Sequence, residues 1–136
     1  MKIFNRDEKR RDEFIFGKHE PEKYIGGVRP FSRLNVDTLK RLIAEGFVDP
    51  KFHQNRSPCI QEFLEFAQKW NSHDGYYCFD GYVVSESRDD YRVSINAIRR
   101  NNGNFTGLDE RFAFEDLIRE SDAWEINKRR VYAWWD

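Results

Sequence analysis

Cys59 is the residue whose type and position come nearest to a catalytic group in this sequence. Ser57 and Pro58 predict a helix start, which places Cys59 in the first turn, where unpaired backbone N–H groups and the helix dipole favour a thiolate. His53 lies upstream and could complete a Cys/His nucleophile pair. However, cysteine is among the most frequently buried residue types, and no local signature of a cysteine hydrolase surrounds Cys59. A small cysteine hydrolase that uses Cys59 is therefore kept as the second alternative function.

Signals of other common chemistries are absent from the sequence. The three histidines, His19, His53 and His73, form no His-x-x-x-His or His-x-His pair. Cys59 and Cys78 match no zinc or redox spacing. The glycine-rich nucleotide motifs and the Gly-x-Ser-x-Gly motif are missing as well. We therefore expect no metal, no cofactor and no catalytic residue, and we expect a protein that is not an enzyme.

Aromatic residues stand beside charged residues in the strands predicted for the second half of the chain. Alternate residues of a strand point to opposite faces, so a small two-layer domain cannot bury all of these rings. Tyr, Trp and Arg are the residue types enriched at the hot spots of protein interfaces. The candidate binding residues are Tyr77, Tyr82, Tyr91, Arg92, Tyr132 and Trp134. Either residues 14–31 cover the second face of the sheet or another molecule does.

The function expected from this pattern is non-enzymatic protein binding, of an inhibitor or accessory type, through an aromatic sheet face. The expected partner is another protein chain or a second copy of this one, and no membrane is involved. Mixed charge, near-neutral balance and surplus aromatic residues are what such a surface would show.

A nucleic-acid-binding regulator is the first alternative. From residue 36 to residue 98 the predicted order is helix, connection, helix and hairpin, which is the order of a winged helix. The second helix, however, directs Glu62 and Glu65 outward, where their carboxylates would repel phosphates. The connection over residues 47–56 is also longer than the turn of a helix-turn-helix. Nucleic acid is thus a partner that the sequence allows but does not favour.

Helices are predicted mainly in the first half of the chain. Asn35 is a suitable N-cap for a helix over residues 36–45, where apolar residues recur at helical spacing. A second helix begins with Ser57 as its N-cap and ends near residue 70, and its apolar stripe includes Phe63 and Leu64. A short third helix is predicted over residues 112–120.

Strand patterns follow the second helix. Residues 76–85 and 91–98 predict one hairpin and residues 123–135 a second, whose last strand should pair with the first. Helices first and strands after predict an α+β fold, with two or three helices packed on a mostly antiparallel sheet in a single two-layer domain. We expect a polar N-terminal arm over residues 1–13 and the domain over residues 14–136, with an irregular segment up to residue 31.

Composition and charge limit the class of protein. The chain has 136 residues, the size of one domain, and its 12 Phe, 6 Tyr and 4 Trp argue against disorder. Its 23 Lys and Arg against 24 Asp and Glu give a net charge of -1, without the basic excess usual in nucleic-acid-binding proteins. Short basic clusters at residues 99–100 and 128–130 are interpreted as solvated turns. No transmembrane run and no signal peptide are recognised, so we expect a soluble cytoplasmic protein.

Overall fold

The computed structural model describes residues 5–136, and the part of the predicted arm over residues 1–4 lies outside them. The described chain has an α+β fold, as predicted, with four α-helices rather than two or three. The helices are α1 (Glu8–Phe16), α2 (Val36–Ala44), α3 (Ile60–Trp70) and α4 (Leu108–Leu117). The strands are β1 (Val28–Leu34), β2 (Tyr77–Val84), β3 (Arg92–Arg100), β4 (Ala123–Ile126) and β5 (Val131–Trp134).

The helix starts follow their capping residues. The Asn35 side chain accepts a hydrogen bond from the Thr38 backbone N–H, as expected of the N-cap of α2. The predicted start of α3 at Ser57 is wrong by two residues, because Cys59 is the N-cap and Ile60 begins the helix. The Ser57 hydroxyl instead accepts from the Gln54 N–H and donates to the Pro58 carbonyl, so it stabilises the preceding turn. None of the helices in residues 5–136 has the length and apolarity needed to cross a bilayer.

The five strands form one antiparallel sheet in the order β1-β2-β3-β5-β4. The pairing of β5 with β3 confirms that the last strand joins the first hairpin. Strand β1 was not predicted, because Pro30 and a register shift between Phe31 and Leu34 interrupt its alternation. Proline is tolerated there because β1 is an edge strand.

The helices cover one face of the sheet. On α3, Phe63 packs edge-on to Phe79, with ring centroids 5.8 Å apart, and to Trp135 at 5.4 Å. On α4, the Phe114 ring stacks on Tyr77 at 5.8 Å. Phe63 is fully buried, so the predicted inner face of α3 is confirmed. Below, the side of the sheet that carries Phe79 is called the helix face, and the opposite side is called the open face.

Strand β3 contains one residue more than the strand it pairs with. Asp80 pairs with Ala97 and Gly81 pairs with Ile95, so Asn96 has no partner in β2. This β-bulge shifts the alternation of side chains along β3. Strict alternation predicted that Ala97 lies on the same side of the sheet as Ile95. Because Ala97 pairs with Asp80, it lies on the open face instead.

Helix α1 crosses the boundary predicted between residues 13 and 14. The sequence predicted a polar arm here, but Glu8, Arg11 and Asp12 are buried. The Arg11 guanidinium donates to the Val84 carbonyl at 2.8 Å and to the Asp12 carboxylate at 3.0 Å. These charged groups can be buried because each finds a hydrogen-bond partner in the folded chain.

Candidate functional site

The open face carries side chains from three adjacent strands. They are Cys78, Asp80, Tyr82 and Val84 of β2, Arg92, Ser94, Ala97 and Arg99 of β3, and Tyr132 and Trp134 of β5. The small members are buried, whereas the aromatic and arginine side chains are half-buried and reach solvent. An antiparallel face that meets water ordinarily carries polar residues, so half-buried rings here are unusual.

At one end of the open face, Tyr82 and Arg92 form a hydrogen-bonded pair. The Arg92 guanidinium donates to the Tyr82 hydroxyl at 3.0 Å and also pairs with Asp90 at 3.0 Å. The Tyr82 hydroxyl donates to the Gln54 side-chain oxygen at 3.0 Å, and the Ser94 hydroxyl donates to that oxygen at 3.2 Å. These bonds hold the Tyr82 ring in one orientation.

At the other end, Tyr132 lies close to two arginines. The Arg99 guanidinium is 5.2 Å from the centre of the Tyr132 ring and the Arg130 guanidinium is 4.4 Å from it. Asp80 forms an ion pair with Arg99 on the same face. Burial raises the pKa of the Tyr132 hydroxyl above its ordinary value.

Four of the six predicted binding residues share the open face. Tyr82, Arg92, Tyr132 and Trp134 lie there together, on β2, β3 and β5. The remaining two, Tyr77 and Tyr91, do not.

Tyr77 and Tyr91 are buried, so we no longer expect their side chains to contact a partner. The Tyr77 hydroxyl donates to Glu110 at 2.7 Å on the helix face, and burial raises its pKa. The Tyr91 hydroxyl donates to the Asn5 carbonyl at 2.8 Å, while the Arg11 guanidinium lies 4.8 Å from the centre of its ring. Burial raises the pKa of Tyr91 to about 12.

Residues 14–31 do not form a layer over the rings of the open face. Val28 to Phe31 belong to β1 and extend the sheet sideways. Phe14 packs edge-on to Phe47 at 6.2 Å, in the core shared with α2. Within residues 5–136, no side-chain hydrogen bond, ion pair or ring contact joins this segment to Tyr132 or Trp134.

A cleft of about 650 Å³ adjoins the Tyr132 end of the open face. We call it the arginine cleft; its lining residues are Arg33, Arg99, Arg100, Asn101, Glu125, Asn127, Arg129 and Arg130. From the sequence, the basic clusters at residues 99–100 and 128–130 were interpreted as separate solvated turns. The pairing of Arg100 with Val131 brings these two clusters together. Arg33 is added by β1, where its backbone adopts a left-handed φ of 57°.

The Cys59 environment does not match an activated nucleophile. Cys59 caps α3, with its backbone N–H donating to Glu62 at 3.0 Å, and burial raises the pKa of its thiol. A raised pKa disfavours the thiolate that the helix-start position had suggested. His53 places its Nδ1 2.7 Å from the Asn55 carbonyl, and in the described chain no hydrogen bond links Cys59 to His53 or His73.

Glu8, Asp12 and His19 place possible ligand atoms within 4.8 Å of one another. The His19 Nε2 lies 2.7 Å from Glu8, and Asp12 accepts hydrogen bonds from Arg11 at 3.0 Å and from the Tyr24 hydroxyl at 2.5 Å. A buried guanidinium against these carboxylates already supplies the positive charge that a metal would bring. The cluster therefore fits a buried hydrogen-bond network better than a metal centre.

Comparisons with models of protein families, with curated proteins and with solved structures find no match to this chain.

Proposed function

We propose that the protein is a non-enzymatic binding protein, of inhibitor or accessory type, whose open face receives an acidic segment of another protein. The observation that carries the proposal is the grouping of Tyr82, Arg92, Tyr132 and Trp134 on the sheet face opposite the helices. Tyrosine and tryptophan supply large, rigid contact areas at a low entropic cost, and together with arginine they are the residue types enriched at interface hot spots.

Charge complementarity favours an acidic partner. The open face and the arginine cleft together carry five arginines, namely Arg33, Arg92, Arg99, Arg129 and Arg130. Three carboxylates lie among them, on Asp80, Asp90 and Glu125. This surface is thus net positive although the whole chain is net -1. A second copy of this chain would present the same basic surface in a symmetric dimer, so a different, acidic chain fits better.

Single-stranded nucleic acid is the second candidate, and the arginine cleft beside Tyr132 favours it. Bases stack on aromatic rings while arginines hold the phosphates. Helix α3 does not support the winged-helix form of this candidate, because Glu62 and Glu65 are exposed on its outer side. Protein binding is preferred because Asp80 and Glu125 interrupt the basic surface and the net charge is negative.

The proposal also places the protein in the cytoplasm. Cys59 and Cys78 are free thiols, and a reducing compartment keeps thiols in that state.

The test compares binding by the native protein and by Trp134→Glu. Proteins captured from a host lysate are identified, and each acidic candidate is purified and titrated calorimetrically. Trp134→Glu should weaken the affinity at least tenfold, because it puts a carboxylate into the contact. The matched control is Phe112→Glu, an exposed aromatic residue on α4, which should leave the affinity unchanged.

Other results would overturn the proposal. A dimer seen by light scattering and broken by Trp134→Glu would make a second copy the occupant. Binding of single-stranded oligonucleotides that depends on Trp134, with no protein bound, would favour the second candidate. Equal effects of Trp134→Glu and Phe112→Glu would exclude the open face as the binding surface.

A further inference from the structure

Two arginines of the arginine cleft are held in place by carboxylates. The Arg100 guanidinium is buried and donates to Glu110 at 2.9 Å, and Arg99 is paired with Asp80. The Arg99 side chain is about one-fifth exposed, so part of it remains available to a ligand. The Asp80 carboxylate fixes the Arg99 guanidinium before a ligand arrives, which lowers the entropic cost of binding. The Arg100 side chain is fully buried, so it supports the wall of the cleft without contacting a ligand.

The other arginines of the cleft are weakly compensated. Within the described residues, neither Arg33 nor Arg129 has a carboxylate within ion-pair distance, and both are exposed. Arg130 lies 3.6 Å from Glu125, and both side chains are about half-exposed, which makes this pair weak. After the Arg99–Asp80 and Arg100–Glu110 pairs are set aside, Arg33, Arg129 and Arg130 face a single carboxylate, that of Glu125.

We propose that the arginine cleft is a binding site for the phosphate groups of a small anionic ligand. The planar guanidinium donates two parallel hydrogen bonds to phosphate oxygens, a geometry that lysine cannot supply. All five basic residues that line the cleft are arginines, and four of them reach solvent, because the Arg100 side chain is buried. Its volume of about 650 Å³ lies within the range of small-molecule sites, so it exceeds what one phosphate needs and leaves room for a diphosphate or a phosphate ester.

Two amide side chains of the cleft add neutral hydrogen-bonding groups. Asn127 accepts hydrogen bonds from the backbone N–H groups of Arg129 and Arg130, both at 2.9 Å. This turn therefore holds Arg129 and Arg130 side by side, next to the end of β3. Asn101 is fixed as well, because its side-chain oxygen accepts from the Tyr76 N–H at 2.7 Å. This site shares Arg33, Arg129 and Arg130 with the basic surface proposed for the acidic partner, but binding of a phosphate ligand here does not require that partner.

The test uses pyrophosphate as the probe, titrated calorimetrically into the full chain at physiological salt. Native protein should bind pyrophosphate, and Arg129→Glu should weaken the affinity at least tenfold. Arg129→Lys should recover only part of the loss, because lysine keeps the charge but not the paired hydrogen bonds. The matched control is Arg111→Glu, an exposed arginine on α4 paired only loosely with Glu115 at 3.9 Å, which should bind pyrophosphate like the native protein.

The controls separate this site from the open face. Trp134→Glu should leave pyrophosphate affinity unchanged even where it abolishes partner binding. A nucleoside monophosphate and inorganic phosphate are titrated in parallel. They show whether the site takes a phosphate ester or the free anion, and binding of either supports the site. Circular dichroism checks that each variant is folded.

Three results would overturn the proposal. The first is no heat of binding for any of these probes at millimolar concentration. The second is an equal loss in Arg129→Glu and Arg111→Glu, which would indicate non-specific charge attraction. The third is binding of single-stranded oligonucleotides alone, which would assign the cleft to nucleic acid.

Discussion

Glu110 is a buried carboxylate with three hydrogen-bond donors. It accepts from the Tyr77 hydroxyl at 2.7 Å, from Arg100 at 2.9 Å and from the Thr106 backbone N–H at 2.8 Å. Burial alone would raise the pKa of Glu110, but these hydrogen bonds outweigh it and hold the pKa below its ordinary value of 4.5. The ionised carboxylate therefore stabilises the fold.

We predict that Glu110→Gln destabilises the protein by about 3–5 kcal/mol, because it leaves the Arg100 charge buried without its counter-ion. Urea unfolding at neutral pH measures the loss. Glu115→Gln is the matched control on the same helix; its carboxylate is about half-exposed, so the change should stay within about 0.5 kcal/mol. Similar losses for both variants would mean that the buried pair contributes nothing specific.

The same carboxylate gives the stability a pH dependence of known sign. Because the folded-state pKa of Glu110 is lowered, its contribution is present above about pH 4.5 and is lost as the pH falls through the folded pKa. We predict that native stability falls on acidification below this value and that Glu110→Gln shows a smaller fall. Urea midpoints measured from pH 7 to pH 3 compare the two slopes, and parallel slopes would contradict the prediction.

At the level of single residues, the sequence predicted the sheet face on which a side chain lies better than it predicted whether the side chain is buried. Alternation placed Tyr132 and Trp134 opposite Val131 and Ala133, and the register with β3 confirms this. Tyr77 was chosen for the binding set because tyrosine is common at interfaces. Its hydroxyl instead meets Glu110, 33 residues away in the sequence, and no local pattern predicts a contact at that distance.

Among the elements, helix α3 followed most directly from its sequence pattern. Phe63 and Leu64 lie on its buried side, as the spacing predicted. We predict that Phe63→Ala costs about 3–5 kcal/mol, because its ring contacts both Phe79 and Trp135. Glu65→Ala on the exposed side should cost less than about 0.5 kcal/mol. Chemical denaturation measures both, and a small loss for Phe63→Ala would place the core elsewhere.

The bulge in β3 was not predicted, and Gly81 allows it. A Cβ atom on Gly81 would overlap the Ser94 carbonyl and crowd the Phe31 ring. We predict that Gly81→Ser costs about 1–3 kcal/mol or more, through strain in this crowded stretch of the sheet. The control is Gly107→Ser, at the N-cap of α4, where a Cβ meets open space and the backbone is extended. That change should be neutral or stabilising, because serine is a good N-cap.

Local sequence patterns gave wrong predictions for the sheet wherever the alternation of side chains along a strand is interrupted. One extra residue, Asn96, moves Ala97 and Arg99 to the open face, and a bulge has no reliable sequence signal. The edge strand β1 was missed for a related reason, since Pro30 and the left-handed Arg33 break its pattern. Both departures supply arginines to the arginine cleft.

For the whole molecule, the fold class and the pairing of β5 with β3 were more predictable than the proposed binding surfaces. The order of helices and strands was enough to predict an α+β fold. The arginine cleft was not predicted, because it joins Arg33, the end of β3 and the turn at residues 127–130. Those three segments meet only through pairing between distant strands, which composition and periodicity do not reveal.

We predict that the whole folded chain requires neither a metal ion nor a disulfide. Glu8, Asp12 and His19 form the group in the described chain that could hold an ion, but Arg11 and Tyr24 already donate to Asp12. We therefore expect one cooperative thermal transition, unchanged by a chelator or a reductant.

The change in Tm on adding zinc is a more stringent test of the same prediction. A specific ion present at 100 times its Kd would add about 2.7 kcal/mol, which corresponds to a rise in Tm of roughly 10 °C for a domain of this size. We expect no such rise, because an ion here would have to displace the buried Arg11 charge from between Glu8 and Asp12. A rise that disappears in His19→Ala would show that the cluster binds metal. A fall in Tm with chelator alone would lead to the same conclusion, since the ion would then be part of the native fold.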